Sequence, residues 1–528
     1  MTTPTPLRNE TLVTDLTTLL GVENVLTSEA DRTFYSMDFS EQRSPLPVAV
    51  VRPHTVEEVA GVVRCAGRNG VVVTTRGGGM SYTKAHVPQT SDAIVIDISH
   101  MNKVIEVNTA DRYVVCEPGV TWEKLREALA GTGFRVPYLG TLSGKYATIG
   151  GGASQNATGM GRMTLAEHVV GLEVVLGDGS IIQTGSGAVQ GTQPFYRYFG
   201  PDMTGMFLCD SGAFGIKTRV VMHLEPAPRT AFRCYSFDNH LDLVAAQVAF
   251  GQSGLATECF GFDKVYIEDL ADRPKPPKGE TGRMIRSFVK TNPNPFWAAV
   301  GLLRAWHPKG LGFLRGKPNA LYVVTEAHSQ GTAESMARKL TRIARKFGGK
   351  TMPTAIPMGL RHGPFLDVGN IVAQPSGELN FPVNAKLPAS RAVATMQAFD
   401  EYLAANDARM MQNDVRVLCN YLMHGHFWGL EVVIHWPDKL SPYRAHYASP
   451  ERRAVFDASA DRPDARECAI EIRKEMVQLF RKLGALHVQV AKTYPYAEAM
   501  DDPTAAFLRR IKQATDGGAV LNPGVLGL

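Results

Sequence analysis

Val71-Val72-Val73-Thr74-Thr75 runs directly into Arg76-Gly77-Gly78-Gly79-Met80-Ser81-Tyr82. The first five residues are all β-branched, which predicts a strand. The three glycines after it let consecutive backbone amides curl around an anion with no Cβ in the way. Such a loop can hold a diphosphate, and it reads equally well as a plain turn, so the surrounding sequence has to decide. Upstream, Thr55-Val56-Glu57-Glu58 is a capping box that opens a helix reaching Gly70, a fitting residue just past a helix end. Downstream, 93–98 and 113–116 read as strands, and Thr121-Trp122-Glu123-Lys124 opens a second helix that stops at Gly131-Thr132-Gly133. Residues 172–176 and 180–184 flank Gly177-Asp178-Gly179 as a hairpin. This alternation over 1–225 predicts an α+β domain with glycine gathered in its loops.

Two further loops share that texture. One is Ala147-Thr148-Ile149-Gly150-Gly151-Gly152-Ala153-Ser154-Gln155-Asn156-Ala157-Thr158-Gly159, and the other is Asp210-Ser211-Gly212-Ala213-Phe214-Gly215-Ile216-Lys217-Thr218. Spacing removes the usual competitors. No G-x-G-x-x-G sits at a strand-to-helix turn. Gly140-Thr141-Leu142-Ser143-Gly144-Lys145 is one residue short of a P-loop and is followed by Tyr146, where a magnesium-binding hydroxyl belongs. There is no G-x-S-x-G elbow and no H-E-x-x-H helix.

Composition bounds the remaining classes. At 528 residues the chain predicts two to four domains, and 44% apolar with 20% charged residues is ordinary for a folded soluble protein. A net charge of +5 is too slight to imply nucleic-acid binding. The seven cysteines are scattered with no C-x-x-C pair, which disfavours a disulfide framework or a thiolate zinc site and suits a reducing compartment. No apolar run of about 18 residues occurs and the first residues lack a signal-like apolar region, so a cytoplasmic protein is expected.

After Pro226-Ala227-Pro228 the texture changes. A strand at 321–327, helices at 332–347, 391–406 and 464–483, and long strands within 415–436 predict an antiparallel sheet covered by helices. We expect a substrate or cap domain over 226–500, and a return to the first domain over 501–528 through a short helix at 507–514 and the turn Leu521-Asn522-Pro523-Gly524. One segment stands out by charge: 273–317 holds ten basic residues, among them Arg273, Lys275 and Lys278, against the single acid Glu280. They are interleaved with Phe296, Trp297, Leu302, Leu303, Trp306, Phe313 and Leu314, the mixture of a surface that touches anionic lipid or a partner. The plainer reading is a lid whose aromatics pack inward.

In this order, the loops resemble the flavin-binding domain of the vanillyl-alcohol oxidase/p-cresol methylhydroxylase superfamily. The matching pieces are Pro53-His54-Thr55, the 76–81 loop, Glu117-Pro118-Gly119-Val120, Thr148-Ile149-Gly150-Gly151, the stretch 171–179, Gly212-Ala213-Phe214-Gly215-Ile216 and Leu521-Asn522-Pro523-Gly524. The resemblance implies FAD and a two-domain α+β fold, with an FAD-binding domain of the p-cresol methylhydroxylase type and a cap over the flavin ring. It assigns Arg76, Gly77, Gly78, Gly79, Met80 and Ser81 to the diphosphate, and Pro118, Gly119, Thr148, Ile149, Gly150, Gly151, Gly212, Ile216 and Asn522 to the rest of FAD. Members that attach FAD covalently through this loop carry histidine where this chain has Met80, so linkage there is not expected.

Catalytic groups should then come from the cap. In His424-Gly425-His426-Phe427-Trp428-Gly429-Leu430-Glu431 a strand period of two puts His424, His426 and Trp428 on one face, so His426 or His424 is the expected base and His487 and Tyr494 are further candidates. The D-lactate and glycolate dehydrogenase branch carries metal-holding histidines on the comparable strand. Here Gly429 replaces the second, so no metal is expected unless His424, His426 and His487 form a rearranged site. The phenolate-holding Tyr-Arg pair of the aromatic-alcohol oxidases falls on Val488 and Gln489. Arg361 or His362 could anchor a carboxylate, and Tyr496 and Lys492 could supply a polar pocket. The expected reaction is oxidation of a small hydroxyl-bearing compound by hydride transfer to flavin N5. A 2-hydroxy acid comes first as substrate, a phenolic or aromatic alcohol second, and a flavin-bound membrane-docking protein is the third reading. Oxygen, a quinone or a cytochrome would reoxidise the flavin.

Overall fold

The computed structural model describes residues 5–157, 159–162, 164–272, 279–291, 294–457 and 459–528. The capping box forms as read: the Thr55 hydroxyl accepts from the Glu58 amide at 3.2 Å, and the Glu58 carboxylate accepts from the His54 amide at 2.6 Å. Helix Val56–Arg68 buries Val59, Val62, Val63 and Ala66 against a four-stranded sheet, ordered Val25–Leu26, Ala49–Val51, Ala93–Asp97, Val72–Arg76. Its last three strands run parallel. The Val72–Arg76 edge is continued by Leu521, which bridges Val73 in parallel.

A second, antiparallel sheet runs Ile181–Gln183, Val169–Val175, Ile216–His223, Tyr113–Cys116, Val104–Asn108. The expected hairpin is present, with Glu173 opposite Gln183 and Val175 opposite Ile181. The glycine-rich loops lie where these two sheets meet.

Seven antiparallel strands make the third sheet, ordered Lys350–Met352, Arg229–Phe237, Asn319–Ala327, Glu258–Phe262, Arg416–His424, Phe427–Pro437, Glu378–Pro388. Alternation along each strand sends Phe381, Val383, Trp428, Leu430 and Trp436 into one core with helices His240–Ser253, Gln330–Lys346, Ala392–Gln412 and Pro463–Lys482. The opposite face turns toward the glycine-rich loops and carries Glu258, Glu326, Asn384, Asn420 and Glu431. The expected helices at 332–347, 391–406 and 464–483 correspond to Gln330–Lys346, Ala392–Gln412 and Pro463–Lys482. The one read at 507–514 starts earlier, as Asp502–Thr515, because Asp501 caps it by accepting from the Thr504 amide at 2.9 Å. The architecture is the expected mixed α+β arrangement with helices over an antiparallel sheet. No helix among the described residues is long and apolar enough to cross a membrane.

Candidate functional site

Three loops from distant parts of the chain converge on one cleft, with about 920 Å³ free of protein atoms. Gly77, Gly78, Gly79, Met80 and Ser81 form one wall, and Pro118, Thr148, Gly150 and Gly151 another, with Gly212 and Ile216 closing it. The glycines serve close approach as much as ligand access. A Cβ on Gly78 would collide with the Tyr146 carbonyl, one on Gly150 would lie 2.5 Å from the Pro118 Cβ, and Gly79 has φ +70° with Tyr443 Oη 2.5 Å from its Cβ position. Tyr443 donates to the Gly79 carbonyl at 2.6 Å and so holds the loop from the cap side. Thr148 caps helix Ile149–Gln155 by accepting from the Gly151 amide at 3.3 Å.

The cleft asks for a polar ligand. Trp122 Nε1, Gln155 Oε1 and Ser211 Oγ belong to residues that line it, and each is buried without a hydrogen-bond partner among the described residues. Buried polar atoms left unpaired are costly, so donors and acceptors in this arrangement mark where a ligand's own polar groups sit. Together with the glycine cradle, they suit a long molecule with a diphosphate and a heteroaromatic ring.

Four residues of the expected set are placed elsewhere. Arg76 points to the other side of the loop, into a neighbouring cleft shared with Gly77, Gly78 and Gly119. There its guanidinium lies over the rings of Phe34 and Tyr35, 4.8 and 4.6 Å from their centroids. Gly119 lines only that second cleft, and Ile149 is a core residue. Asn522 is buried and acts as a tie, its amide donating to the carbonyls of Ala85 at 3.1 Å and Ser211 at 2.6 Å. Lining residues outside the expected set include His86, Gln155 and Gln489. His86 sits deep, and burial with Arg76 nearby holds its pKa well below the usual histidine value. The Gln489 amide donates to the Gln155 carbonyl at 3.1 Å from a backbone with φ 54°. Gln489 reaches the cleft only because the strap 486–492 is laid across it, which its local sequence does not mark.

The cap histidines do not share a face, which corrects the expectation. Strand Arg416–His424 ends at His424 and Phe427–Pro437 begins after a tight turn through Gly425 (φ 57°), so Met423 pairs with Trp428 and His424 with Phe427. His426 is exposed in that turn, and Trp428 is buried in the helix-side core, donating to Gln247 at 3.1 Å. His424 is buried, edge-on to Phe260 and stacked on Phe427, with neither ring nitrogen hydrogen-bonded among the described residues. Burial, with Lys386 nearby, lowers its pKa to about 4. His487 lies elsewhere, stacked on Tyr494 at 4.2 Å with Nδ1 2.6 Å from the Asn384 carbonyl, and burial lowers its pKa. The three histidines are therefore not brought together as a rearranged metal site, and no group of three His, Cys, Asp or Glu suited to a metal occurs among the described residues.

The other expected substrate residues are differently occupied. Arg361 is buried between two carboxylates, donating to Glu258 at 2.6 Å and also to Glu326, which Arg135 reaches as well. Burial would lower the Arg361 pKa, but Glu326 and Glu258 hold it above its ordinary value. It is committed to this network rather than presented to a substrate. His362 is buried against Phe288 with its pKa lowered to about 3 by burial and Arg361. Lys492 donates to the Val87 carbonyl at 2.8 Å, and burial brings its pKa down to about 8. Tyr494 Oη accepts from the Asn384 amide at 3.3 Å, whereas Tyr496 packs on the first domain's core.

One group that sequence reasoning passed over stands out on the cap face. Asn384, Glu431 and Asn420 are direct cross-strand partners, so their side chains form one polar row facing the cleft side. Glu431 is deeply enclosed yet keeps accessible surface, makes no hydrogen bond or ion pair among the described residues, and has its pKa raised by burial. Asn420 Oδ1 is buried without a partner. Asn384 anchors the strap: its side chain accepts from the Val488 amide at 2.8 Å, one residue before Gln489 in the cleft wall. The row is thus tied to the cleft wall through the strap, while none of its three side chains lines the cleft itself.

Comparison with known proteins accords with this geometry. Residues 47–185 match the family profile described as FAD binding domain. The chain is 29% identical over 232 residues to glycolate oxidase subunit GlcD of Bacillus subtilis, a match covering 43% of this chain and 48% of that protein. The chain therefore spans about half the length of the curated relatives it matches. Over nearly the whole chain its fold is that of 4-ethylphenol oxidase from Gulosibacter chungangensis (TM-score 0.76, 17% identity, 98% of this chain and 97% of that one). The fold of p-cresol methylhydroxylase is also similar (TM-score 0.71, 18% identity, 99% and 98%). Residues 47–185 are thus an FAD binding domain, FAD is the cofactor, and the fold is that of the p-cresol methylhydroxylase type.

Proposed function

We propose that this flavoprotein is an oxidoreductase that oxidises a small, uncharged, hydroxyl-bearing compound of the phenol or aromatic-alcohol kind. The observation that carries the reading is the unpaired Glu431 carboxylate in the row Asn384–Glu431–Asn420, beside the strap that lines the cofactor cleft. FAD, when bound, supplies the two-electron acceptor. Glu431 takes the hydroxyl proton, and its upward-shifted pKa makes it a stronger base than an ordinary carboxylate. His424 is tuned the opposite way: burial makes it neutral but weakly basic. Asn420 Oδ1 is placed to accept from a hydroxyl, and the rings of Phe260 and Tyr322, stacked at 5.2 Å, offer an aromatic flank on the same sheet face. An enclosed carboxylate without a paired cation repels an anionic substrate. With Arg361 committed to Glu258 and Glu326, the geometry favours a neutral one.

A second reading, a 2-hydroxy acid, has one observation behind it. Lys386 projects from the same face, one cross-strand position from Glu431, with Nζ over the Phe427 ring at 4.6 Å and no ion-paired carboxylate among the described residues. The similarity to a glycolate oxidase subunit supports it too, though over the FAD-binding part. Anaerobic mixing of the FAD-loaded protein with benzylic alcohols and alkylphenols, then with glycolate and D-lactate, separates the two. Bleaching of the visible flavin band by the neutral compounds supports the first reading. Bleaching by the hydroxy acids alone replaces it with the second. Admitting air, a quinone or a cytochrome afterwards identifies the acceptor by which one restores the band.

A further inference from the structure

Helix Pro295–Ala305 reads Pro-Phe-Trp-Ala-Ala-Val-Gly-Leu-Leu-Arg-Ala. Its one ionisable side chain, Arg304, pairs with Glu334 at 2.8 Å. A helix apolar on every side is normally buried on every side. This one is not. Ala298 and Leu302 face inward onto Phe232, Phe288 and Val324, while Phe296 and Leu303 on the outer side are 64% and 74% exposed. Trp306, directly after the helix, is 67% exposed, and the neighbouring helix Glu280–Thr291 adds exposed Ile285 and Val289.

Along the sequence, the charge of this segment has one sign. Residues 281–317 contain no Asp or Glu, and Arg286, Lys290 and Lys309 are exposed within it. Arg273, Lys275 and Lys278, which belong to the same basic run, lie outside the described residues. Exposed aromatic and aliphatic side chains set among cations match the interface of an anionic bilayer: the apolar groups enter the headgroup boundary and the cations meet lipid phosphates. Eleven residues make a helix of about 16 Å, far too short to cross about 30 Å of hydrocarbon but well suited to lie in its surface. A second copy of this chain fits less well, because a two-fold interface would set the two cationic segments against each other.

We propose that Phe296, Leu303 and Trp306, together with the exposed cations Arg286, Lys290 and Lys309, form a docking surface for anionic lipid membrane. Vesicle flotation with the full FAD-loaded chain tests this. Vesicles of phosphatidylcholine with about one-third phosphatidylglycerol should carry the protein, pure phosphatidylcholine vesicles should not, and rising salt should release it. The triple variant Phe296→Ser, Leu303→Ser, Trp306→Ser should bind at least about tenfold more weakly with an unchanged flavin spectrum. If that variant fails to fold, Leu303→Ser alone, at the most exposed of the three positions, should still weaken binding measurably. Equal binding to both vesicle types, no binding, or full binding by the folded variants overturns the proposal. So does a wild-type dimer that the triple variant converts to monomer, which would make a second copy the occupant.

Discussion

At the scale of single residues, Gly78 and Glu431 make opposite demands. Gly78 has no room: an alanine Cβ would strike the Tyr146 carbonyl, a backbone atom with no rotamer to yield. We predict that Gly78→Ala costs about 1–3 kcal/mol of stability and most of the bound FAD, read as a lower melting temperature and a lower visible-to-ultraviolet absorbance ratio. Gly331→Ala, exposed in helix Gln330–Lys346 with nothing within 4 Å of its Cβ position, is the control. Glu431 has room and lacks a partner. As the proton acceptor it must be ionised, so flavin reduction should rise with pH through a pKa above the usual carboxylate value, and Glu431→Gln should lose that limb and slow reduction by about a hundredfold. The stability sign is the reverse. A folded pKa above the unfolded one means that ionisation destabilises the fold as pH rises, so the Gln variant should melt at a higher temperature than wild type at pH 7. A merely structural Glu431 would show this gain without the lost limb.

At the scale of elements, a glycine run at a strand end is legible because its meaning is local: missing Cβ atoms and free amides need no tertiary partner. The cap strand was misread for the complementary reason. Alternation across 424–428 assumed one continuous strand, and Gly425 at φ 57° instead starts a turn that reverses the chain and reassigns every face after it. Glu431 drew no role in the sequence reading, because its neighbours on that face, Asn384 and the strap 486–492, come from distant parts of the chain. Arg361 was read from sequence as an anchor for a substrate carboxylate and not as the centre of a network, since Glu258, Glu326 and Arg135 come from three strands distant from its helix. Its removal gives a prediction. Arg361→Met leaves two enclosed carboxylates with Arg135 alone and should cost about 3–5 kcal/mol at pH 7. Both carboxyl pKa values would then lie above their unfolded values, so the folded variant binds protons more tightly than the unfolded chain. Its deficit should therefore shrink as pH falls toward 5. A melting-temperature difference from wild type that is flat in pH would mean that the carboxylates are solvated and the network is of little consequence.

At the scale of the whole molecule, the cofactor cleft exists only because distant segments are tied together, and the ties differ in kind. Arg444, wholly buried, donates to Glu41 and to the carbonyls of Phe39 at 2.9 Å, Val372 at 2.6 Å and Asn380 at 2.6 Å, joining the N-terminal residues to the cap. Asn522 instead joins the two cleft walls: its amide bonds the Ala85 carbonyl beyond the glycine loop and the Ser211 carbonyl 311 residues away in sequence, while its backbone amide donates to Val73 at 2.7 Å. Asn522→Leu would leave two buried carbonyls unpaired, at about 1–3 kcal/mol each, and those carbonyls belong to segments that flank the cofactor. If the tie serves the cleft, the variant should lose FAD affinity beyond its loss of stability. Binding adds RT ln(1 + [FAD]/Kd) to the folded state, so a tenfold weaker Kd removes about 1.4 kcal/mol of that increment at saturating FAD. Holo protein should then drop further in melting temperature than apo protein. Equal drops in both states would show that Asn522 supports the fold and leaves the cleft as it was.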